Sequence, residues 1–366
     1  MTPLAAPFPA TYDEARGAFL RAAREANARI STFTLEDYQT AEGEPLCTDV
    51  AYLGPAEPAR LLVTVSGTHG IEGFCGSTCQ TRVLLGETGL ARLAADSGTG
   101  MLLVHALNPY GFAYLRRVNE ENVDVNRNFV DHDAPPHNDP YDKVHDALTP
   151  QGETFDGQAL VAGILPLREE VGERAFQQAV TQGQYRHADG LFYGGREPSW
   201  SQRLLRTIVA QQVAGVPRVG YIDLHTGLGP RAVGEPIFRG GRDPDARERA
   251  EAWYGPAVTA SEDGSSSSTP IVGNTATAVA DGLHRGEELT AITLEFGTQP
   301  GPQVLLALCA DNWLHLRRPA AYAVQDPIKS LMREAFAPDA DADWRTRVLD
   351  RAREVFEQAF DGLSAD

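Results

Sequence analysis

Three buried-strand patterns most constrain what this chain can become. Leu61 to Ser66, Val219 to Leu224 and Ala291 to Leu294 are short apolar runs, separated by stretches of helical periodicity, and that alternation is the pattern of an open α/β sheet. Each run ends in a residue able to do chemistry, with glycine close behind: His69 after the first, His225 after the second, Glu295 at the end of the third. In open α/β sheets ligands bind beyond the carboxyl ends of the strands, where loops from different units converge. Three residues spread over more than two hundred positions are thereby expected to meet.

The first of these ends carries the densest chemistry. Thr64-Val65-Ser66-Gly67-Thr68-His69-Gly70-Ile71-Glu72-Gly73 reads as a strand breaking into a glycine-rich turn, with a His and a Glu three positions apart where a helix begins. Such an H-x-x-E clasp brings an imidazole and a carboxylate to one cation from a single segment, which removes most of the loop-closure entropy of building a site. His225 supplies a third ligand. Two imidazoles and one carboxylate are a common catalytic zinc set that leaves a fourth position open for water. Glu295 is then a candidate general base, and Asn126 with Arg127 can grip an anionic substrate group, since a guanidinium binds a carboxylate through two parallel hydrogen bonds. Singly, each residue has an ordinary alternative: His225 capping its turn, Glu295 or Arg127 in a structural ion pair. Jointly they point to a zinc hydrolase.

Composition excludes other classes. Fifty acidic against 32 basic residues give the 366-residue chain a formal charge of -18, which repels nucleic-acid backbones and anionic lipid surfaces. No apolar run reaches membrane-spanning length. The start, Met1 to Pro9, lacks the basic and apolar regions of a secretory signal, so the expectation is a cytoplasmic protein. Cys47, Cys75, Cys79 and Cys309 show no paired framework, which suits a reducing compartment. Cys75 and Cys79 read as small buried residues of the helix after the clasp.

The remaining elements follow from periodicity and turn residues. Helices are expected over Tyr12 to Ala28, Phe74 to Leu85, Gln158 to Gln182, Ser201 to Ala214 and Arg242 to Tyr254, with two or three more between Gln303 and Phe360. Further strands are expected over Arg29 to Thr34, Thr48 to Leu53 and Met101 to Ala106. Arg116 to Phe129 is polar, follows a strand end and reads as a site loop. Asp131 to Gln151, with His132, His137 and His145, reads as a solvated connection, and Ser261 to Pro270 as a flexible serine-rich loop. No repeat or boundary divides the chain, so residues 1–366 are expected to form one catalytic domain, with N-terminal elements (1–58) and C-terminal helices (303–361) packed on it.

These motifs resemble the zinc carboxypeptidase family, and more closely its DUF2817-type bacterial branch. The matching pieces are Gly67-Thr68-His69-Gly70-Ile71-Glu72-Gly73, Asn108-Pro109-Tyr110-Gly111-Phe112, Val123-Asp124-Val125-Asn126-Arg127-Asn128-Phe129, Ile222-Asp223-Leu224-His225-Thr226-Gly227 and Leu294-Glu295-Phe296-Gly297-Thr298. The resemblance implies an α/β fold with a mixed, mainly parallel eight-stranded sheet flanked by helices. It implies one zinc ion held by His69, Glu72 and His225, with Asp124 fixing the tautomer of His69. It also implies that Asn126 and Arg127 hold the substrate's terminal carboxylate and that Glu295 acts as base on a zinc-activated water. An arginine polarises the scissile carbonyl; Arg116 and Arg117 both stand in its place, and Arg117 is favoured. The implied substrate is a small peptide. The alternatives are an N-acyl amino acid cleaved by a deacylase similar to aspartoacylase and succinylglutamate desuccinylase, and a non-catalytic zinc- or carboxylate-binding module. One departure stands out. Digestive carboxypeptidases carry a tyrosine on a mobile loop shortly before the base, but no tyrosine lies between Ser261 and Glu295.

Overall fold

The computed structural model describes residues 7–86, 89–240, 243–318 and 323–365. Residues 1–6 of the stretch read for a signal, and Arg242 at the start of one expected helix, lie outside them. Among the described residues eight strands form one mixed sheet: β1 (Arg29–Gln39), β2 (Pro45–Leu53), β3 (Arg60–Val65), β4 (Thr99–His105), β5 (Arg218–Arg231), β6 (Gly234–Phe238), β7 (Thr259–Ala260) and β8 (Glu288–Gly297). Their spatial order is β1-β2-β4-β3-β5-β8-β6-β7. The central run β4-β3-β5-β8 is parallel, while β1, β2 and β6 join antiparallel to their inner neighbours. β4 is buried at every residue and β3 at all but its first, as parallel strands covered on both faces must be.

Local chemistry positions the strand ends. After β3, Gly67 takes φ +66°, and a Cβ on Gly70 would sit 2.0 Å from the carbonyl carbon of Gly111. Only glycine lets the clasp lie this close to the Asn108–Gly111 turn. There the Asn108 side chain caps the short helix Pro109–Ala113 by accepting from the Gly111 N–H at 2.8 Å. The clasp backbone is also tied down: the N–H of Ile71 donates to Arg116 O at 2.9 Å.

β5 does not stop at Leu224, as expected, but runs through His225 to Arg231. Its pairing with β8 slips between Thr226 and Arg231, where Gly227 and Gly229 adopt φ +120° and +95°. This bulge aims the Leu228 N–H at the Glu295 carboxylate, 3.0 Å away.

Other expectations need correction. The helix expected over Gln158 to Gln182 is two, Gly157–Val171 and Glu173–Thr181, broken by Gly172 at φ +83°. The connection Asp131 to Gln151 holds short helices at Asp139–Asp142 and His145–Leu148, anchored by buried Tyr141 and Leu148. The serine-rich loop is held by Glu235 of β6, which accepts hydrogen bonds from the Ser267 N–H and hydroxyl. β6, β7 and the helix Leu90–Asp96 were not anticipated. Among the described residues the C-terminal helices are Gly301–His315, Ile328–Phe336 and Ala342–Ser364. The last packs against the sheet and buries Val348, Ala352, Val355 and Phe356 in the main core. No described helix is long and apolar enough to cross a membrane.

Candidate metal centre and its cavity

β3, β5 and β8 are neighbours, and their carboxyl ends bring His69, His225 and Glu295 together. His225 is the register partner of Glu295. His69, Glu72 and His225 are buried, with 4%, 2% and 2% of their surface exposed. Their inner atoms form a small triangle. His69 Nδ1 lies 2.9 Å from Glu72 Oε1, His225 Nδ1 lies 3.0 Å from Glu72 Oε2, and the two Nδ1 atoms are 3.0 Å apart. The Thr226 N–H also donates to Glu72 Oε2 at 3.0 Å, which orients the carboxylate.

The outer ring atoms determine what that triangle can do. His69 Nε2 is 3.1 Å from Asp124 Oδ1, and His225 Nε2 is 2.9 Å from Asp223 Oδ2. A neutral imidazole facing a carboxylate keeps its proton on that side. Once a cation displaces the extra proton that Asp223 and Glu72 hold on His225, both Nδ1 lone pairs face inward, toward each other and toward Glu72. Ligand atoms bonded to one cation at about 2.1 Å are separated by roughly 3.0–3.4 Å for angles of about 90–110°. The donor set and its spacing fit a zinc-type ion.

The supporting carboxylates are themselves fixed. Asp124 is fully buried, which alone would raise its pKa, but Arg117, Arg127 and His69 more than reverse this and hold it well below the ordinary carboxylate range. Its second oxygen pairs with Arg117 Nη1, and its first also accepts the Asn126 N–H at 3.0 Å. Asp223 accepts from the Thr68 and Thr275 hydroxyls at 2.8 and 2.6 Å. Sequence reasoning assigned Asp223 no role, although it stood two residues before His225. On a strand, positions i and i+2 face the same side, and that was the signal.

A cavity of about 350 Å3 opens onto the triangle, lined among others by Arg117, Asn126, Arg127, Arg239 and Glu295. No tyrosine lines it among the described residues, and Ser267, Ser268 and Thr269 of the serine-rich loop do. Burial and the nearby charge of Glu72 push the Glu295 pKa up to about 8, against the opposite pull of His225 and Arg239. Arg117 faces the cavity and stacks over Phe192 at 4.7 Å. Arg116 points away, into a buried network with Asp311 and Asn122. Of the two candidates, Arg117 is therefore the one at the site. Asn126 accepts the Thr275 N–H at 3.0 Å, and the Arg127 guanidinium donates to the backbone carbonyls of Thr181 and Asn126.

His145, of the histidine-rich connection, has a different fate. With His187 and Asp189 it offers atoms within 4.8 Å of one another. The two rings stack at 3.9 Å and 23°, so their lone pairs run side by side, and His187 Nε2 is engaged by Asp142 Oδ1 at 2.8 Å.

Among solved structures the chain is similar to thrombin activatable fibrinolysis inhibitor (13% identity, 94% of this chain and 78% of that one, TM-score 0.46). It is similar to a metallo-carboxypeptidase from Burkholderia cenocepacia (15% identity, 84% and 67%, TM-score 0.38) and to an aspartoacylase family protein from Mesorhizobium loti (16% identity, 78% and 67%, TM-score 0.36). Likenesses this distant transfer no activity. No curated protein is similar to the chain. The family described as "Protein of unknown function (DUF2817)" matches residues 8–351, and the chain belongs to it.

Proposed function

We propose that the protein is a zinc-dependent hydrolase that cleaves an amide bond next to a carboxylate-bearing residue. The observation that carries this reading is the inward-facing triangle of His69 Nδ1, His225 Nδ1 and the Glu72 carboxylate, with Glu295 in the same cavity. Zinc held there would supply Lewis acidity, polarising a carbonyl and making a water acidic near neutral pH. The chain's own residues do the rest. Asp124 and Asp223 keep the two rings in the ligating tautomer. Glu295, whose pKa of about 8 falls when a cation binds beside it, takes the proton of the attacking water and returns it to the leaving nitrogen. Arg117 stabilises the developing oxyanion. Asn126 and the remaining donors of Arg127 hold the substrate's terminal carboxylate.

Changing Glu295 to Gln keeps the shape and removes the base. We expect one zinc per chain to remain and turnover to fall by about a hundredfold to ten-thousandfold. An undiminished rate would remove Glu295 from the mechanism. The missing cavity tyrosine supports keeping an N-acyl amino acid beside a small peptide as substrate, and a panel containing both separates them. Tight zinc without hydrolysis of any member would leave a binding module instead. The whole chain is read as one catalytic domain, and its four buried free thiols support a reducing, cytoplasmic setting.

A further inference from the structure

Four arginines line the cavity, and they differ in what balances their charge. Arg168 pairs with Glu173 and Arg117 with Asp124. Arg127 has carbonyl partners, but no described carboxylate lies within the 4.0 Å of an ion pair. Arg239 is the extreme case. It sits one residue past β6, where its N–H still bonds Ala291 O at 3.0 Å. Its Nε donates to the Thr293 hydroxyl at 2.9 Å and its Nη1 to the Ser261 hydroxyl at 3.2 Å. Nη2 bonds to no described residue, and no described carboxylate lies within ion-pair distance.

The acids that act on Arg239 at longer range are committed elsewhere. Glu295 accepts from the Leu228 N–H, Asp223 from Thr68 and Thr275, and Glu235 from Thr259 and Ser267, while Glu262 is exposed. In a chain with 50 acidic residues, a guanidinium so placed has been left without a counterion. A half-buried cation held only by neutral hydroxyls loses part of its hydration without gaining a counterion, and an incoming anion that takes its free edge relieves that cost. Arginine rather than lysine suits the task, because its fixed fork meets a carboxylate through two bonds.

We propose that Arg239 is the specificity-determining residue of the cavity and that it receives a second carboxylate, on the side chain of the residue whose α-carboxylate Asn126 and Arg127 hold. The substrate class is an amide of an acidic amino acid. This rests on the hydrolase reading above and narrows it. Arg239 hydrogen-bonds to no metal ligand and forms no ion pair with Glu295, and its longer-range pull on that carboxylate makes ligand binding, rather than turnover, the readout of selection.

The free amino acid is the product under both the peptidase and the deacylase reading, so binding is testable without turnover. Calorimetry on zinc-loaded protein compares glutamate with glutamine and aspartate with asparagine, pairs that differ by one charge at nearly constant shape. At least one acid is expected to bind about tenfold or more tighter than its amide. In Arg239→Gln that gap closes while the amide binds as before, and Arg239→Lys keeps part of it. Equal binding of acid and amide, no binding of any of the four, or a gap that survives Arg239→Gln overturns the proposal. So does a loss in Arg239→Gln that falls on acid and amide alike, the mark of a structural role. Zinc content of the same samples is measured first: protein that takes up no zinc strikes the hydrolase reading, whereas zinc-loaded protein without charge discrimination strikes this proposal alone.

Discussion

Two buried charged clusters lie one residue apart in sequence and are built on opposite plans. Arg116 enters the first, where Asp311 accepts from Arg116 Nε at 3.1 Å and from Lys329, and Arg116 Nη2 donates to Asn122 Oδ1 at 2.9 Å. Asn122 in turn donates to Asn312 Oδ1 and to the Ala188 carbonyl. Donors and acceptors there meet one another, and burial of Asp311 is outweighed by Lys329 and Arg116, which hold its pKa below the ordinary range. Arg117 enters the second cluster. There three carboxylates, Glu72, Asp124 and Asp223, contact two imidazoles and one guanidinium, and the ring lone pairs face inward. One network meets its single carboxylate with two of the chain's own cations and leaves no acidic group waiting for another. The other lacks positive charge that the chain does not provide, and that separates a structural cluster from a metal centre.

The sharpest way to test the contrast is to break each cluster in turn. Asp311→Ala leaves two buried cations uncompensated and should destabilise the fold by about 3–5 kcal/mol, read by denaturant unfolding, while folded protein still binds one zinc. If zinc were lost and stability kept, the two clusters would not be separate devices. Asp124→Asn replaces the carboxylate that faces His69 and pairs with Arg117 by a neutral amide. Zinc affinity, measured by competition with a chromophoric chelator, should fall by about tenfold to a hundredfold; unchanged affinity would deny Asp124 its orienting role.

A smaller, graded effect follows from pH. Burial alone would lower the His225 pKa, but Asp223 and Glu72 more than reverse it, raising it from 6.5 to about 10 in the metal-free protein. That proton stabilises the metal-free fold fully below the unfolded value of 6.5, and its contribution is lost as pH rises through about 10. Zinc must displace the same proton, so its affinity rises across the same window. The gap in Tm between zinc-loaded and metal-free protein should therefore widen with pH, and a gap that narrows would contradict the assignment.

What the sequence revealed divides along physical lines. His69, Glu72, His225 and Glu295 were legible because each stands where an apolar strand ends, and strand ends in an α/β sheet converge. Arg127 and Asn126 were legible as a polar block too poor in apolar residues for a core. Arg239 was not, because the strand before it, Gly234–Phe238, is five residues long, carries Pro236 and lies toward the sheet edge, where no hydrophobic run announces it. The serine-rich loop looked flexible by composition, since its anchor, Glu235, lies about thirty residues away in sequence. The extension of β5 past His225 was hidden by glycines that normally mark a strand's end and here form a bulge.

The most direct test of the central claim is metal content by elemental analysis, on protein purified without added metal and on His69→Ala. About one zinc per chain in the wild type, lost in the variant, is the expected result. Wild-type protein that carries no zinc, and takes up none on titration, would contradict the metal centre and every catalytic role assigned around it.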